Sequence, residues 1–346
     1  MMMKDSSYVM SCLQTEIQVI QDPADKERLV KQNLERSLEL AAHAAATEES
    51  RLLVVPEAWL QGFVPKRGIA DWLKVCIAIP GPETEKLGDF CRKHGTYVAG
   101  TAFERSDAWA GRIFNTAFIV GPSGKVELKY RQLNPETLNG LLPITSPADV
   151  LDEYARKEGE LPIFPVLDTP LGRLGCLVGN DVNFFEHTRT LVLRGAEILL
   201  HLTAETTAAS YPVWEEMRRA RAYENVAYFA SGNNGGFLGS RAPRVRSRGH
   251  SEIISYEGKP LATADSAGEV VLHATISLQR LRYRRTEVRM NFPAQSKIKM
   301  YGPTYRKAER MPNNVWASRP LQSADEGPQL VRKVIETMSS SRAAKA

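Results

Sequence analysis

Apolar positions along the chain alternate between a strand-like and a helix-like period, and the changes mark the elements. Residues 8–14 (YVMSCLQ) are a short run of β character. Over residues 25–46, Leu29, Val30, Leu34, Leu38, Leu40 and Ala41 recur at helical spacing, which predicts an amphipathic helix. Residues 52–55 form a continuous apolar strand closed by Pro56 and Glu57. A second helix is expected over 83–94, and the stretch from Gly95 leads into a strand. Residues 113–121, followed by a Pro-Ser-Gly turn, pair as a hairpin with 125–130. Residues 134–161 are polar and broken by prolines, a long loop of the kind that lines a site. Residues 166–169 and 173–179 make the next hairpin.

The stretch from Leu171 to Leu200 organises the rest. It reads as a strand ending at Gly179, a turn over 180–186, a helix over 186–195 and a second strand over 196–200. In layered α/β proteins such a strand-to-helix elbow displays reactive side chains, and here the elbow residue is a glycine. Asp181 and Glu186 flank it and are expected to pin the turn and cap its helix. A helix over 213–225 and a strand over 227–231 follow, then a glycine-rich turn, GNNGG, without the GxGxxG spacing of phosphate binding. A hairpin is expected from Gly249 around a turn starting at Tyr256, then a short basic helix over 278–285. Residues 321–346 are polar and read as an arm or a disordered tail. Strands alternating with helices around hairpins favour an α/β sandwich. One domain over 1–310 and a C-terminal arm over 311–346 are expected.

Composition alters this picture little. Of 346 residues, 43% are apolar and 25% charged, and the net charge of +5 is mild, as in a soluble globular chain. The Arg-rich stretches 241–248 and 280–289 lack interleaved aromatic platforms, so no nucleic-acid partner is expected. Four cysteines without CxxC pairing argue against a disulfide framework or a zinc site. No apolar run is long enough to span a membrane. The N-terminus lacks a signal-peptide pattern, so a cytoplasmic setting is expected.

Six ordered segments carry a resemblance: LLVVPEAWLQGF from Leu52, IPGPET from Ile79, FNTAFIVGPSGKVELKYR from Phe114, LRGAEILL from Leu193, ARAYEN from Ala220 and GHS from Gly249. Together they make the chain similar to the nitrilase, or carbon–nitrogen hydrolase, superfamily, in its amidase- or carbamoyl-amidase-like branch. The resemblance implies a four-layer α-β-β-α sandwich, homo-oligomeric assembly, a small-molecule ligand and no cofactor or metal.

It also implies chemistry from three residues: a glutamate base, a lysine that stabilises negative charge, and a cysteine nucleophile. The glutamate corresponds to Glu57. The lysine of a Lys-Tyr-Arg-Lys pattern corresponds to Gln132, in Lys129-Tyr130-Arg131-Gln132, and the cysteine of a Cys-x-Asp pattern to Gly179, in Gly179-Asn180-Asp181. Lys129 and Cys176 each lie three residues away, an odd offset that turns their side chains to the other face of an extended chain. A second pocket glutamate would fall near Asn139, with Glu136 close by. Asn180, His201, Thr203, Glu205 and Tyr211 are further candidate ligand-binding residues around the elbow, alternatively loop-structuring ones. Asn225, Asn233, Asn234 and His250 read as loop supports.

Two principal readings follow. In one, the protein is a pseudoenzyme that keeps a pocket for a small amide- or carboxylate-type ligand. In the other, it is an enzyme of non-thiol chemistry with Glu57 as general base and Gln132 and backbone amides as donors. A third, deliberate exchange of the nucleophile, is disfavoured because the lysine is absent as well.

Overall fold

In the computed structural model, described here for residues 7–159, 163–207, 213–241, 246–308 and 310–343, two six-stranded sheets face each other. The chain opens with β1 (Ser7–Gln14) and β2 (Glu16–Gln18), then α1 (Lys26–Thr47), β3 (Ser50–Val54), α2 (Ile69–Val75), α3 (Pro82–His94) and β4 (Tyr97–Glu104). The hairpin β5 (Phe114–Val120) and β6 (Val126–Arg131) is followed by α4 (Leu151–Glu158), β7 (Leu167–Thr169), β8 (Gly172–Val178), α5 (Phe185–Leu193) and β9 (Ile198–Leu202). Next come α6 (Val213–Asn225), β10 (Tyr228–Gly232), β11 (Gly236–Leu238), β12 (Glu252–Ile254), β13 (Pro260–Thr263) and β14 (Val270–Ser277). Helices α7 (Leu278–Thr286), α8 (Phe292–Gln295), α9 (Ile298–Lys307) and α10 (Glu326–Ala343) end the chain.

The first sheet has the order β14-β1-β3-β4-β5-β6 and the second β13-β12-β10-β9-β8-β7; β2 and β11 form a separate pair. Strand alternation divides the core. Met10, Cys12, Leu52, Val54, Ala117, Ile119, Cys176, Val178, Leu200 and Leu202 fill the space between the sheets. The intervening residues face outward: Leu13, Leu53 and Val98 pack with residues of α1 and α3, and Leu177, Leu199 and Phe229 pack with residues of α5 and α6. The result is the expected α-β-β-α arrangement, held by apolar burial on both faces of each sheet.

Several elements depart from the sequence reading. Residues 134–161 are not one loop: α4 lies within them, a short, mostly charged helix that buries only Tyr154. Strand β9 starts at Ile198 and runs through His201 to Leu202, because Gly195 and Ala196 still close the end of α5 with hydrogen bonds to Val192 O and Leu191 O. Strand β14 is an addition, pairing antiparallel with β1 from Ser7↔Ser277 to Gln14↔Val270. Part of the C-terminal stretch is helical, as α10. No helix among the described residues is long and apolar enough to cross a membrane.

Candidate functional site

Four strands of the two sheets end at one place. Glu57 follows β3, Gln132 follows β6, Gly179 follows β8 and Thr203 follows β9. Strand ends are where side chains can leave the sheet without disturbing its ladder. Val55 N–H still bonds Ala99 O and Pro56 closes the strand, so the chain turns at Glu57, whose N–H donates to Thr203 O at 3.1 Å. Ala58 then adopts a left-handed φ of 56°, with its N–H donating to Thr101 Oγ1.

The Glu57, Gln132 and Gly179 positions converge. A Cβ built on Gly179 would lie 2.9 Å from Glu57 Oε2 and 3.4 Å from Gln132 Nε2. The Glu57 carboxyl group therefore borders the space a side chain at 179 would occupy. Gly179 has φ of 44°, in the left-handed region where glycine is at ease. Asn115, on β5, ties the two side chains together: its Nδ2 donates to Glu57 Oε1 at 2.6 Å and to Gln132 Oε1 at 3.0 Å. Gln132 Nε2 in turn donates to Val178 O at 3.0 Å. The sequence reading missed Asn115; its signal was a polar pair, Asn115 and Thr116, near the start of an otherwise apolar strand.

The electrostatics of this cluster are those of an acid without a cation. Burial and, after it, the neighbouring Glu136 push the Glu57 carboxyl up to about 8, against the Asn115 hydrogen bond. Glu136 is itself raised by burial and accepts from Asn139 Nδ2 at 2.9 Å. The two lysine-region cations point elsewhere. Lys129 bonds Glu104 and Ile79 O, and Arg131 forms a buried double hydrogen bond to Glu104. Cys176 faces the space between the sheets, its thiol pushed up to about 12 by burial. Cys12, Cys76 and Cys91 are also free and buried.

The elbow is braced from beneath. Asp181 is fully buried; its Oδ2 accepts from Tyr130 OH at 2.7 Å and Val178 N–H at 3.2 Å, and its Oδ1 from Asn134 N–H at 2.9 Å. His201 lies within β9 rather than in the loop after it, with Nε2 2.9 Å from Gly179 O and Nδ1 3.0 Å from Ser231 Oγ. A carbonyl only accepts, so Nε2 carries the proton and Nδ1 accepts from the serine. Burial pushes the imidazole down to about 3, which keeps it neutral. His201 is thus a positioning group for the elbow.

Other candidates take structural partners. Glu205 is fully buried in an ion pair with Arg218, with Arg248 Nη1 3.5 Å away; its N–H donates to Asn233 Oδ1. Asn180 Nδ2 reaches Asn134 O at 3.3 Å. His250 has a left-handed φ of 58° and its carbonyl accepts from Arg218. Tyr211 lies outside the described residues.

Comparison with known proteins agrees with this architecture. The carbon-nitrogen hydrolase family model matches residues 13–286. The chain belongs to the carbon–nitrogen hydrolase family. It is 26% identical over 265 residues to the omega-amidase NIT2 of Homo sapiens, covering 76% of this chain and 89% of that one. It is 28% identical over 235 residues to a formamidase of Bacillus cereus, covering 68% of this chain and 64% of that protein. Among solved structures, a carbon–nitrogen hydrolase from Helicobacter pylori superposes with a TM-score of 0.71 at 20% identity, over 88% of this chain and 99% of that one. Nit3 of Saccharomyces cerevisiae, a member of branch 10 of the nitrilase superfamily, gives 0.65 at 21%, over 82% and 94%. This family member therefore has the nitrilase-like sandwich throughout.

Proposed function

We propose that this carbon–nitrogen hydrolase homologue is a pseudoenzyme for thiol chemistry, and that its elbow cluster serves to bind a small amide- or carboxylic-acid-type ligand. The observation that supports this reading most is Gly179. Without a thiol there, no covalent acyl-enzyme forms. With Gln132 in place of an ammonium, no fixed cation balances a developing oxyanion, a loss commonly of ~10²–10³ in rate. A protonated Glu57 carboxyl with the Asn115 and Gln132 amides, bordered by the Glu136–Asn139 pair and by no cation among the described residues, makes a hydrogen-bonding cluster suited to an uncharged amide or protonated acid. The exposed Phe185, Leu193 and Val213 of α5 and α6 support assembly into a homo-oligomer, and four free cysteines support a reducing, cytoplasmic setting.

The second reading, an enzyme with Glu57 as general base, is favoured by one observation. A carboxyl held near 8 is a stronger base than an ordinary glutamate, and an efficient base has its pKa near the working pH. Ammonia release from formamide, acetamide and succinamic acid separates the two. The pseudoenzyme predicts no release above background from the unmodified protein, together with a ligand-induced rise in Tm that Glu57→Gln alters. Turnover that Glu57→Gln abolishes would overturn it in favour of the base. Gln132→Lys with Gly179→Cys is expected to introduce iodoacetamide-sensitive labelling at the elbow.

A further inference from the structure

The C-terminal arm lies beyond the region that matches the family, yet it buries Trp316, Leu321 and Ala324 against the domain. Backbone bonds fix it: Asn314 N–H donates to Ala148 O at 2.9 Å and Trp316 N–H to Asp149 O at 3.2 Å. Arg112 Nη2 donates to Trp316 O at 2.7 Å. Beyond that, Gly327 sits so close to Thr137 that a Cβ there would strike its carbonyl. The arm thereby roofs a cavity of about 350 Å³ over the loop that carries Glu136, a size within the range of small-ligand sites, roughly 300–1,000 Å³.

This cavity is not the elbow cluster. Asp181 stands between them, with Oδ1 3.5 Å from the Nδ1 of the cavity-lining His187 and Oδ2 bonded to Tyr130. The walls are apolar and aromatic, with Phe164, Trp316, Ile163 and Met311 among them. The charged group in the wall is Asp149. It is buried, and its carboxylate accepts the Ser146 N–H at 2.8 Å as a local cap. No ion pair to it exists among the described residues. Arg112, the cation that acts on it electrostatically, instead directs its Nη2 to the carbonyls of Trp316 and Ala317. His187 Nδ1 is buried without a hydrogen-bond partner.

We infer that this arm-roofed cavity binds a small primary amine, as its ammonium, carrying an apolar or aromatic body. The chemistry selects that class. An anion would be placed beside Asp149 with Asp181 behind His187. A neutral molecule would fill the apolar volume but leave Asp149 without an ion-pair partner, either protonated or carrying an unbalanced buried charge. An ammonium pairs with Asp149, and aromatic faces attract cations. Burial also pushes Asp149 up to about 7, so a bound ammonium would bring it down by favouring the ionised form.

Calorimetric titration of the full-length protein at pH 8 with benzylamine, benzamide and benzoate tests this, because the three differ mainly in charge. Benzylamine is expected to bind at least ~10-fold more tightly than the other two, a difference of about 1.4 kcal/mol. Asp149→Asn, which keeps an oxygen for the Ser146 cap, is expected to remove that preference. Leu138→Trp, which fills the cavity without changing its charge, is expected to remove binding of benzylamine. Equal affinity for the three probes, stronger binding of benzoate, no benzylamine binding at millimolar concentration, or benzylamine binding that survives both substitutions in folded protein would overturn the inference.

Discussion

Replacing Glu57 by glutamine tests the electrostatic account of the elbow directly. The carboxyl has a value of 4.5 when exposed and about 8 in the fold. A raised carboxyl binds its proton more tightly in the folded than in the unfolded state. Between these two values the unfolded protein therefore carries fewer protons, and stability falls as pH rises. With those two values the cost is about 1 kcal/mol at pH 5.5 and several kcal/mol at pH 8.5, a swing of about 3 kcal/mol. Glutamine has nearly the same shape and keeps one acceptor for Asn115 Nδ2, but carries no proton to lose. Its amide cannot accept the second backbone donor, the Ala204 N–H, at a loss of about 1 kcal/mol. Urea unfolding followed by tryptophan fluorescence at pH 5.5, 7 and 8.5 supplies the comparison. Glu57→Gln is expected to be close to unmodified protein in stability at pH 5.5 and more stable than it by about 3 kcal/mol at pH 8.5. If the two proteins lose stability in parallel across this range, Glu57 is not a buried acid of raised pKa and the description of the site fails.

Further outcomes follow from named contacts. Gly179→Ala is expected to destabilise by about 1–3 kcal/mol, measured as a fall in Tm, because its Cβ meets Glu57 Oε2 at 2.9 Å in a left-handed conformation. Tyr130→Phe removes a donor from the buried Asp181 and is expected to cost about 1.5–3 kcal/mol in urea. Arg131→Met leaves Glu104 buried with Lys129 as its remaining cation and is expected to cost about 3–5 kcal/mol, an effect that Arg131→Lys only partly restores. Arg112→Met frees the carbonyls of Trp316 and Ala317 and is expected to speed trypsin cleavage within residues 317–333 while the domain core stays resistant.

Much of the site could be read one strand at a time. Pro56-Glu57 and Val178-Gly179 each end an apolar run and Arg131-Gln132 ends an alternating one, and a strand end is recognisable from local pattern. His201 was misplaced because the last turn of α5 extends to Ala196, so β9 starts and ends two residues later than the apolar run suggests. Helix α4 was missed because it is eight residues long and mostly charged, too short for its period to stand out in a polar, proline-punctuated stretch. Strand β14 was missed for a different reason: its partner β1 lies more than 250 residues earlier, and pairing is not a local property.

By itself the sequence determined most of the strands and helices, since burial on one face imposes a period of two or 3.6 residues. It also determined that the elbow holds a glycine and the position after β6 an amide. The tertiary structure decided what those residues are to one another. Asn115, unremarked in its strand, became the link between Glu57 and Gln132 because β5 lies between β4 and β6. Glu57 became a high-pKa acid because the two sheets close over it and place Glu136, rather than a cation, as its charged neighbour. A residue's type fixes what it can donate or accept; only packing fixes its partners, its access to water, and therefore its charge.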